Sequence, residues 1–377
     1  MTFSAKKSII VCMLLLIVLQ LFGQTTIKPG AVITAVHTGN AWYEGPAWDQ
    51  ATGKLYFTTP NDYPYNVYRL DAPGQASVWY PGSSRINGMF IDNSGRLLTC
   101  EQGSQRICSY RIGLSGPEDQ QIVASDGSWY YPNDICQRAQ GDIYFTCPNW
   151  ENRPQGAYRL STSGAVTRIA ADLNQPNGII TSIDGTTLYI ADSNLLYWKS
   201  YPVNADGSVG SGSVFFNPST SNRNSPDGMT IDEQGNLYFT GRGGLWIVSP
   251  GGVQLDFISV PEATSNVCFG GSGGTILYIT GQDKVYSLET TVRGASFAGG
   301  TPIPTSGPTT APGLRGDANG NGAVDIIDAL LTAQYYVGLD PQGFLAANAD
   351  TNCNGAVDIV DALLMAQFYV GLITQFC

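Results

Sequence analysis

Apolar and polar positions alternate in short paired runs along most of this chain. Residues 176–193 read PNGIITSIDGTTLYIADS: a Pro-Asn-Gly opening, an apolar run, an Asp-Gly turn, then a second run, LYIAD. Two alternating runs around a tight Asp-Gly turn predict a β-hairpin. The same form returns as EGPAWDQATGKLYFTT from Glu44, NGMFIDNSGRLLTC from Asn87, PNDICQRAQGDIYFTC from Pro132, PDGMTIDEQGNLYFTG from Pro226 and, more loosely, SNVCFGGSGGTILYITG from Ser265. These six copies stand about 40–50 residues apart, the repeat length of β-propeller blades. An all-β six-bladed β-propeller is therefore expected over residues 24–292. Outer strands such as NVYRLD, RICSYRI, GAYRL and LWIVSP follow the hairpins, and residues 24–41 read as a further outer strand closing the ring against the last blade. The Tyr-Phe and Tyr-Ile pairs suit sheet faces and should pack between blades.

The pattern changes twice outside the repeats. Lys6 and Lys7 precede a short apolar run, IIVCMLLLIVLQLF, which predicts a secretory signal peptide over residues 1–23. A membrane span needs about 20 apolar residues, so an exported, extracellular protein is expected. Residues 293–315 are rich in Gly, Pro, Thr and Ser and read as an exposed linker. Beyond it, GDANGNGAVDIIDALLTAQYYVGL is nearly repeated 33 residues later by ADTNCNGAVDIVDALLMAQFYVGL. Residues 316–377 hold seven Asp and no Lys, Arg or Glu, a set that repels itself without a cation.

Each duplicate opens with EF-hand-like spacing. Asp317, Asn319, Asn321, Asp325 and Asp328 stand at loop positions 1, 3, 5, 9 and 12, with Gly322 at the bend and the Ala323 carbonyl at position 7. Asp350, Asn352, Asn354, Asp358 and Asp361, with Gly355 and Ala356, match them in the second copy. Position 12 is Asp in both rather than the usual Glu. Two Ca²⁺ ions are expected, on two loop-helix repeats forming a small all-α module. The module resembles a type I dockerin, the calcium-dependent plug that binds cohesin domains on bacterial scaffoldins. That resemblance implies a cohesin partner and contact through loop positions 10 and 11, which are Ile326, Ile327, Ile359 and Val360.

Charge and rare residues narrow the chemistry. A net charge of −11 argues against nucleic acid and anionic membranes as partners. His37 is the only histidine and lies outside every repeat, which removes Ser-His-Asp and Cys-His catalysis and multi-histidine zinc sites. Of eight cysteines, Cys353 and Cys377 could clasp the C-terminal module, while Cys100, Cys108, Cys136 and Cys147 fall on neighbouring hairpins with no pairing fixed.

Inner strands of a propeller surround a central channel, so the residues opening the repeats converge at one mouth. Glu44, Asn133, Asn177 and Asp227 open repeats in this way, and two carboxylates with two amide oxygens suit one divalent ion. Ca²⁺ is the first expectation, with Mg²⁺, Mn²⁺ or Zn²⁺ open. EGPAW, NGMFIDNSGRLLTCEQG, YPNDI, QPNGI with LYIADS, and SPDGM resemble the gluconolactonase/senescence-marker-protein (regucalcin-like) family over about residues 41–288. The resemblance implies a metal in the channel and hydrolysis of sugar lactones. It implies Glu44, Asn177 and Asp227 as ligands, Asn133 as ligand or substrate contact, and Asp227 as catalytic acid/base. Asn87, Tyr131 and Trp129 complete the expected substrate contacts; Trp42, Tyr130 and Trp150 are further candidates for stacking on sugar faces. Tyr131 stands where the family often carries Arg, Gln102 where many members have His, and Cys147 where Asp is frequent. The leading expectation is a secreted metal-dependent lactonase docked on a polysaccharide-degrading complex. The alternatives are a non-catalytic carbohydrate- or protein-binding propeller with a structural metal, and a hydrolase of other esters or phosphoesters.

Overall fold

The structure, a computed structural model, describes residues 26–148, 156–218, 225–241, 243–297, 314–320, 324–337, 339, 341, 344–369 and 372–377. The expected signal peptide, Trp150, Asn321, Gly322, Ala323 and most of the expected linker lie outside them. The chain divides into two units, taken separately below.

The first unit is a propeller of six four-stranded antiparallel sheets. A lead-in strand, β1 (Thr34–Thr38), comes first. Blade 1 is β2 (Glu44–Asp49), β3 (Lys54–Thr58), β4 (Val67–Leu70) and β5 (Ala76–Tyr80). Blade 2 is β6 (Ile86–Ile91), β7 (Leu97–Glu101), β8 (Arg106–Ile112) and β9 (Pro117–Ser125). Blade 3 is β10 (Ile135–Gln137), β11 (Ile143–Cys147), β12 (Gly156–Leu160) and β13 (Val166–Ile169). Blade 4 is β14 (Pro176–Thr181), β15 (Thr187–Asp192), β16 (Tyr197–Pro202) and β17 (Ser213–Phe216). Blade 5 is β18 (Met229–Ile231), β19 (Leu237–Gly241), β20 (Gly244–Val248) and β21 (Gln254–Ser259). Blade 6 is β22 (Thr264–Gly270), β23 (Ile276–Gly281) and β24 (Lys284–Glu289), completed by β1 against β24 as the lead-in pattern predicts.

Packing follows the two-residue period of strands. In β3, Tyr56 faces blade 2 and joins Trp79, Ile86 and Tyr110, while Leu55 and Phe57 face blade 6 and join Tyr278 and Val285. Each neighbouring pair of blades has its own apolar cluster of this kind, so six small cores replace one large one. The outer strands read as one-sided; β9 is exposed through most of its length.

The second unit holds α1 (Ile326–Tyr336), a short α2 (Ala346–Ala349) and α3 (Ile359–Tyr369). Asp325 caps α1 by accepting from Ile327 N at 2.7 Å, and Asp328 reaches back to Asp325 N at 2.8 Å, a capping box. Ala318, Ala329, Ala349 and Met365 form its core. Cys353 and Cys377 are disulfide-bonded, as their positions suggested; Cys100, Cys108, Cys136, Cys147 and Cys268 are free. Among the described residues no helix is long and apolar enough to cross a membrane.

Candidate metal centre in the propeller channel

The Asn-Gly and Glu-Gly pairs are not hairpin turns. In β2, β6 and β14 the pairing register slips between Glu44 and Ala47, Ile86 and Met89, and Pro176 and Ile179, which makes bulges of Gly45-Pro46, Asn87-Gly88 and Asn177-Gly178. A bulge re-aims a side chain out of the strand's alternation. Blades 3 and 5 do the same just ahead of β10 and β18. Asn133 N donates to Thr146 O while Thr146 N donates to Asp134 O, and Asp227 N and Gly228 O clasp Thr240 in the same manner. The glycines also let the blades close in: Gly88 N donates to Asn133 O at 2.6 Å, and a β-carbon on Gly88 would meet that oxygen at 2.5 Å.

Glu44, Asn87, Asn133, Asn177 and Asp227 thereby share one cavity of about 410 Å³. Trp42, Asn61, Arg85, Gln102, Tyr131 and Ser193 are among the other residues on its wall. Asn177 Nδ2 donates to Ser193 Oγ at 3.0 Å, which fixes the Asn177 amide on the cavity wall, and Ser193 Oγ donates to Pro226 O at 2.6 Å. Asn87 Oδ1 is buried without a hydrogen-bond partner.

Electrostatics give this ring its chemistry. Burial pushes Glu44 up to about 8, with the Asp134 charge adding to the effect and the Gly45 N–H opposing it. Asp134 is pushed up to about 7 by burial. Asp227 is raised well above the ordinary carboxylate range, first by burial and then by the charges of Glu44 and Asp134. None of the three has an ion-pair partner among the described residues. Uncompensated carboxylates in a low-dielectric channel are costly unless a cation or protons neutralise them. No group of three or more His, Cys, Asp or Glu side chains is close enough to form a metal cluster among the described residues, so the donor set is mixed: carboxylates with Asn amides. Hard oxygens, an orphaned amide oxygen and excess negative charge fit Ca²⁺ or another hard divalent ion.

Residues 42–282 match the family described as SMP-30/Gluconolactonase/LRE-like region, well over half of the chain. The chain belongs to this family. A gluconolactonase of Zymomonas mobilis is 30% identical over 294 residues, covering 67% of this chain and 80% of its own. The Haloferax volcanii pentonolactonase is 25% identical over 257 residues, covering 66% and 84%. The solved Xanthomonas campestris gluconolactonase superposes with a TM-score of 0.62 at 24% identity, over 70% of this chain and 91% of that one; this likeness speaks to the fold. Residues 315–368 match the dockerin type I domain.

In this gluconolactonase-family propeller, the four residues expected to hold the ion stand together on the cavity wall, and Asn87 and Tyr131 join them. Trp129 does not. It is 3% exposed and packs edge-on to Phe145 at 4.8 Å between blades 2 and 3, because an indole beside a loop buries more surface in that core than at the mouth. Three residues without an assigned role bear on the site, Arg85 on its wall and Asp134 and Asn266 buried beside its carboxylates. Asp134 was signalled by its place: it follows Asn133 where the Asn87, Asn177 and Asp227 repeats have glycine. Asn266 opens the sixth repeat, and its amide lies beside both Glu44 and Asp134. Arg85 had no signal, since only the fold brings it over Tyr131, 5.5 Å from the ring centre.

The dockerin module carries its own acidic loops. Asp328 and Asp361 are fully buried. Asp328 accepts from Asn319 N at 3.0 Å as well as from Asp325 N, and Asp361 accepts from Thr351 N at 2.9 Å and Asp358 N at 2.8 Å. Burial raises Asp328 above its ordinary range. In the second loop Asp350 accepts from Asn354 N and Gly355 N, which folds the loop around one centre. A carboxylate has about four lone-pair sites, so these oxygens can hold backbone and a cation together. Asp317, Asn319, Asp325, Asn352, Asn354 and Asp358 lie on the same two loops. Ile327 and Val360 are exposed, whereas Ile326 packs on the module's core and Ile359 is half-buried.

Proposed function

We propose that the protein is an exported, metal-dependent lactonase that its dockerin module attaches to a cohesin-bearing scaffold. The observation that carries this reading is the uncompensated pair Glu44 and Asp227, set among Asn87, Asn133 and Asn177 in one cavity with the buried charge of Asp134 behind them. Glu44, Asn133, Asn177 and Asp227 would hold the ion. When bound, a divalent ion supplies Lewis-acid polarisation of the lactone carbonyl and lowers the cost of negative charge on its oxygen. Asp227 keeps some surface on the cavity while protein encloses its other sides, so its carboxylate meets water there and takes the proton as attack begins. It returns that proton to the ring oxygen as the acyl–oxygen bond breaks, giving the hydroxy acid. Asn87 Oδ1, with no protein partner, accepts from a substrate hydroxyl. Trp42 and Tyr131 give the sugar ring apolar walls.

The test is acid release by the full-length secreted chain from a panel of aldonolactones and acid lactones, with Ca²⁺, Mg²⁺, Mn²⁺, Zn²⁺ or EDTA, beside Asp227→Ala. Metal-dependent hydrolysis that the variant lacks is the expected result. A folded, metal-loaded protein no more active than Asp227→Ala would leave the binding-only reading. Docking is tested by titrating cohesin domains with Ca²⁺ and again with EDTA, which should abolish binding.

A further inference from the structure

Arg85 stands two residues ahead of Asn87 with its backbone at φ +53, in the left-handed region that a long side chain rarely adopts. The surroundings hold it there. Its N–H donates to Ser83 O at 2.7 Å, and its carbonyl accepts from Gln102 N at 3.1 Å. Its Nε donates to Pro60 O at 2.8 Å. The guanidinium carbon lies 5.5 Å from the centre of the Tyr131 ring and 5.8 Å from that of Tyr65. Backbone, Nε and two aromatic faces thus fix the fork at the cavity wall. Its two terminal amino groups have no hydrogen-bond or ion-pair partner among the described residues, whereas Arg106 of the same blade is paired with Glu101.

We propose that Arg85 is a substrate-binding residue whose free amino groups take a carboxylate on the substrate, so that the enzyme prefers lactones carrying a second acid group, the lactones of aldaric acids. This rests on the lactonase reading and names its substrate class. A planar, pre-positioned fork matches a carboxylate with two parallel hydrogen bonds. Sugar hydroxyls need no cation, because Asn87, Gln102 and Asn61 already offer amides on the same wall. Arg85 is also the only cation lining this cavity among the described residues. A chain of net charge −11 does not attract anions from a distance, so an anionic substrate must be selected by contact.

The deciding measurement is kcat/KM of the full-length protein on galactaro-1,4-lactone and galactono-1,4-lactone, which differ in a terminal carboxylate against a hydroxymethyl group. The acid lactone should be preferred, chiefly through KM, and the preference should shrink with added salt. In Arg85→Gln the ratio of the two kcat/KM values should fall about 10- to 100-fold, and Arg85→Lys should keep part of it. Because both substrates meet the same preparation, the ratio is independent of the folded fraction. Equal rates in the wild type, or a ratio untouched in Arg85→Gln, would overturn the assignment and leave the lactonase standing. If no lactone is turned over with any metal, the lactonase reading fails, and calorimetry with galactarate against galactitol decides this one. Galactarate binding that weakens in Arg85→Gln supports it; binding indifferent to the substitution overturns it.

Discussion

Asp134 is buried behind the cavity wall, where Gly88 leaves it room: a β-carbon on Gly88 would stand 2.6 Å from Asp134 Oδ1. It adds negative potential behind Glu44 and Asp227 and anchors its own oxygens on Ile135 N at 3.0 Å and Ile179 N at 3.4 Å. Asp134→Asn keeps the shape and removes the charge. Metal affinity, read by calorimetric titration, should fall about 10- to 100-fold, as for other groups that support ligands from behind. The same charges set a pH dependence in the metal-free protein. Glu44 and Asp134 move from ordinary values of 4.5 and 3.8 to about 8 and 7, so the folded state holds more protons than the unfolded one across that interval. Stability contributed by these groups is present below about pH 4 and is lost as pH rises toward 8. In EDTA the melting temperature should fall over that range by several degrees, and saturating Ca²⁺ should remove most of the slope. All seven tryptophans lie between Trp42 and Trp246, so indole fluorescence follows the propeller alone. Repeat register made Glu44, Asn133, Asn177 and Asp227 legible in the sequence, since each opens a hairpin of the same form. Arg85 was not legible, because its role depends on Tyr65, Tyr131 and Pro60, which only the closed ring brings around it. Trp129 was misread because a large aromatic next to a loop has the same local pattern whether it lines a mouth or fills a core.

Neighbouring blades are joined by hydroxyl groups that the hairpin pattern contains without explaining. Thr58 Oγ1 at the end of β3 donates to Asn87 O at 3.0 Å, and Thr146 Oγ1 in β11 donates to Asn177 O at 2.5 Å. Thr240 Oγ1 in β19 donates to Ser265 O at 2.9 Å, and Ser265 Oγ crosses from blade 6 to Tyr43 O at 2.7 Å. The Asn87, Asn177 and Ser265 carbonyls lie at bulges that free them from ladder pairing, and Tyr43 O lies just ahead of β2. Thr146→Val is nearly isosteric and leaves the Asn177 carbonyl buried without this donor. It should cost about 1–3 kcal/mol in urea unfolding and weaken metal binding, because Asn177 is then held less firmly. A change confined to stability would show that the stitch supports the ring without shaping the site. The inner and second strands were legible from their alternation. The stitches were not, since a Thr at a strand end fits β-propensity equally well without any partner.

At the scale of the molecule, the two units were legible for different reasons. The dockerin module declares itself through a 33-residue duplication and seven uncompensated Asp, a compositional break that needs no tertiary knowledge. The propeller declares itself only by recurrence, since no single hairpin is distinctive. Its closure has a further consequence. Thr34, at the beginning of β1, pairs with Ser287 near the end of β24, and Lys28 N ahead of it donates to Glu289 O at 3.1 Å, so the two strands form a hairpin lacking only its turn. The ring therefore has no preferred starting point, and the chain's order is one cut among several equivalent ones. A circularly permuted propeller, with residues 26–40 moved behind Glu289 through a short turn and the chain begun at residue 41, should keep its metal affinity and melt within a few degrees of the parent. The seam between first and last strands is a matter of where translation starts, and the channel is blind to it.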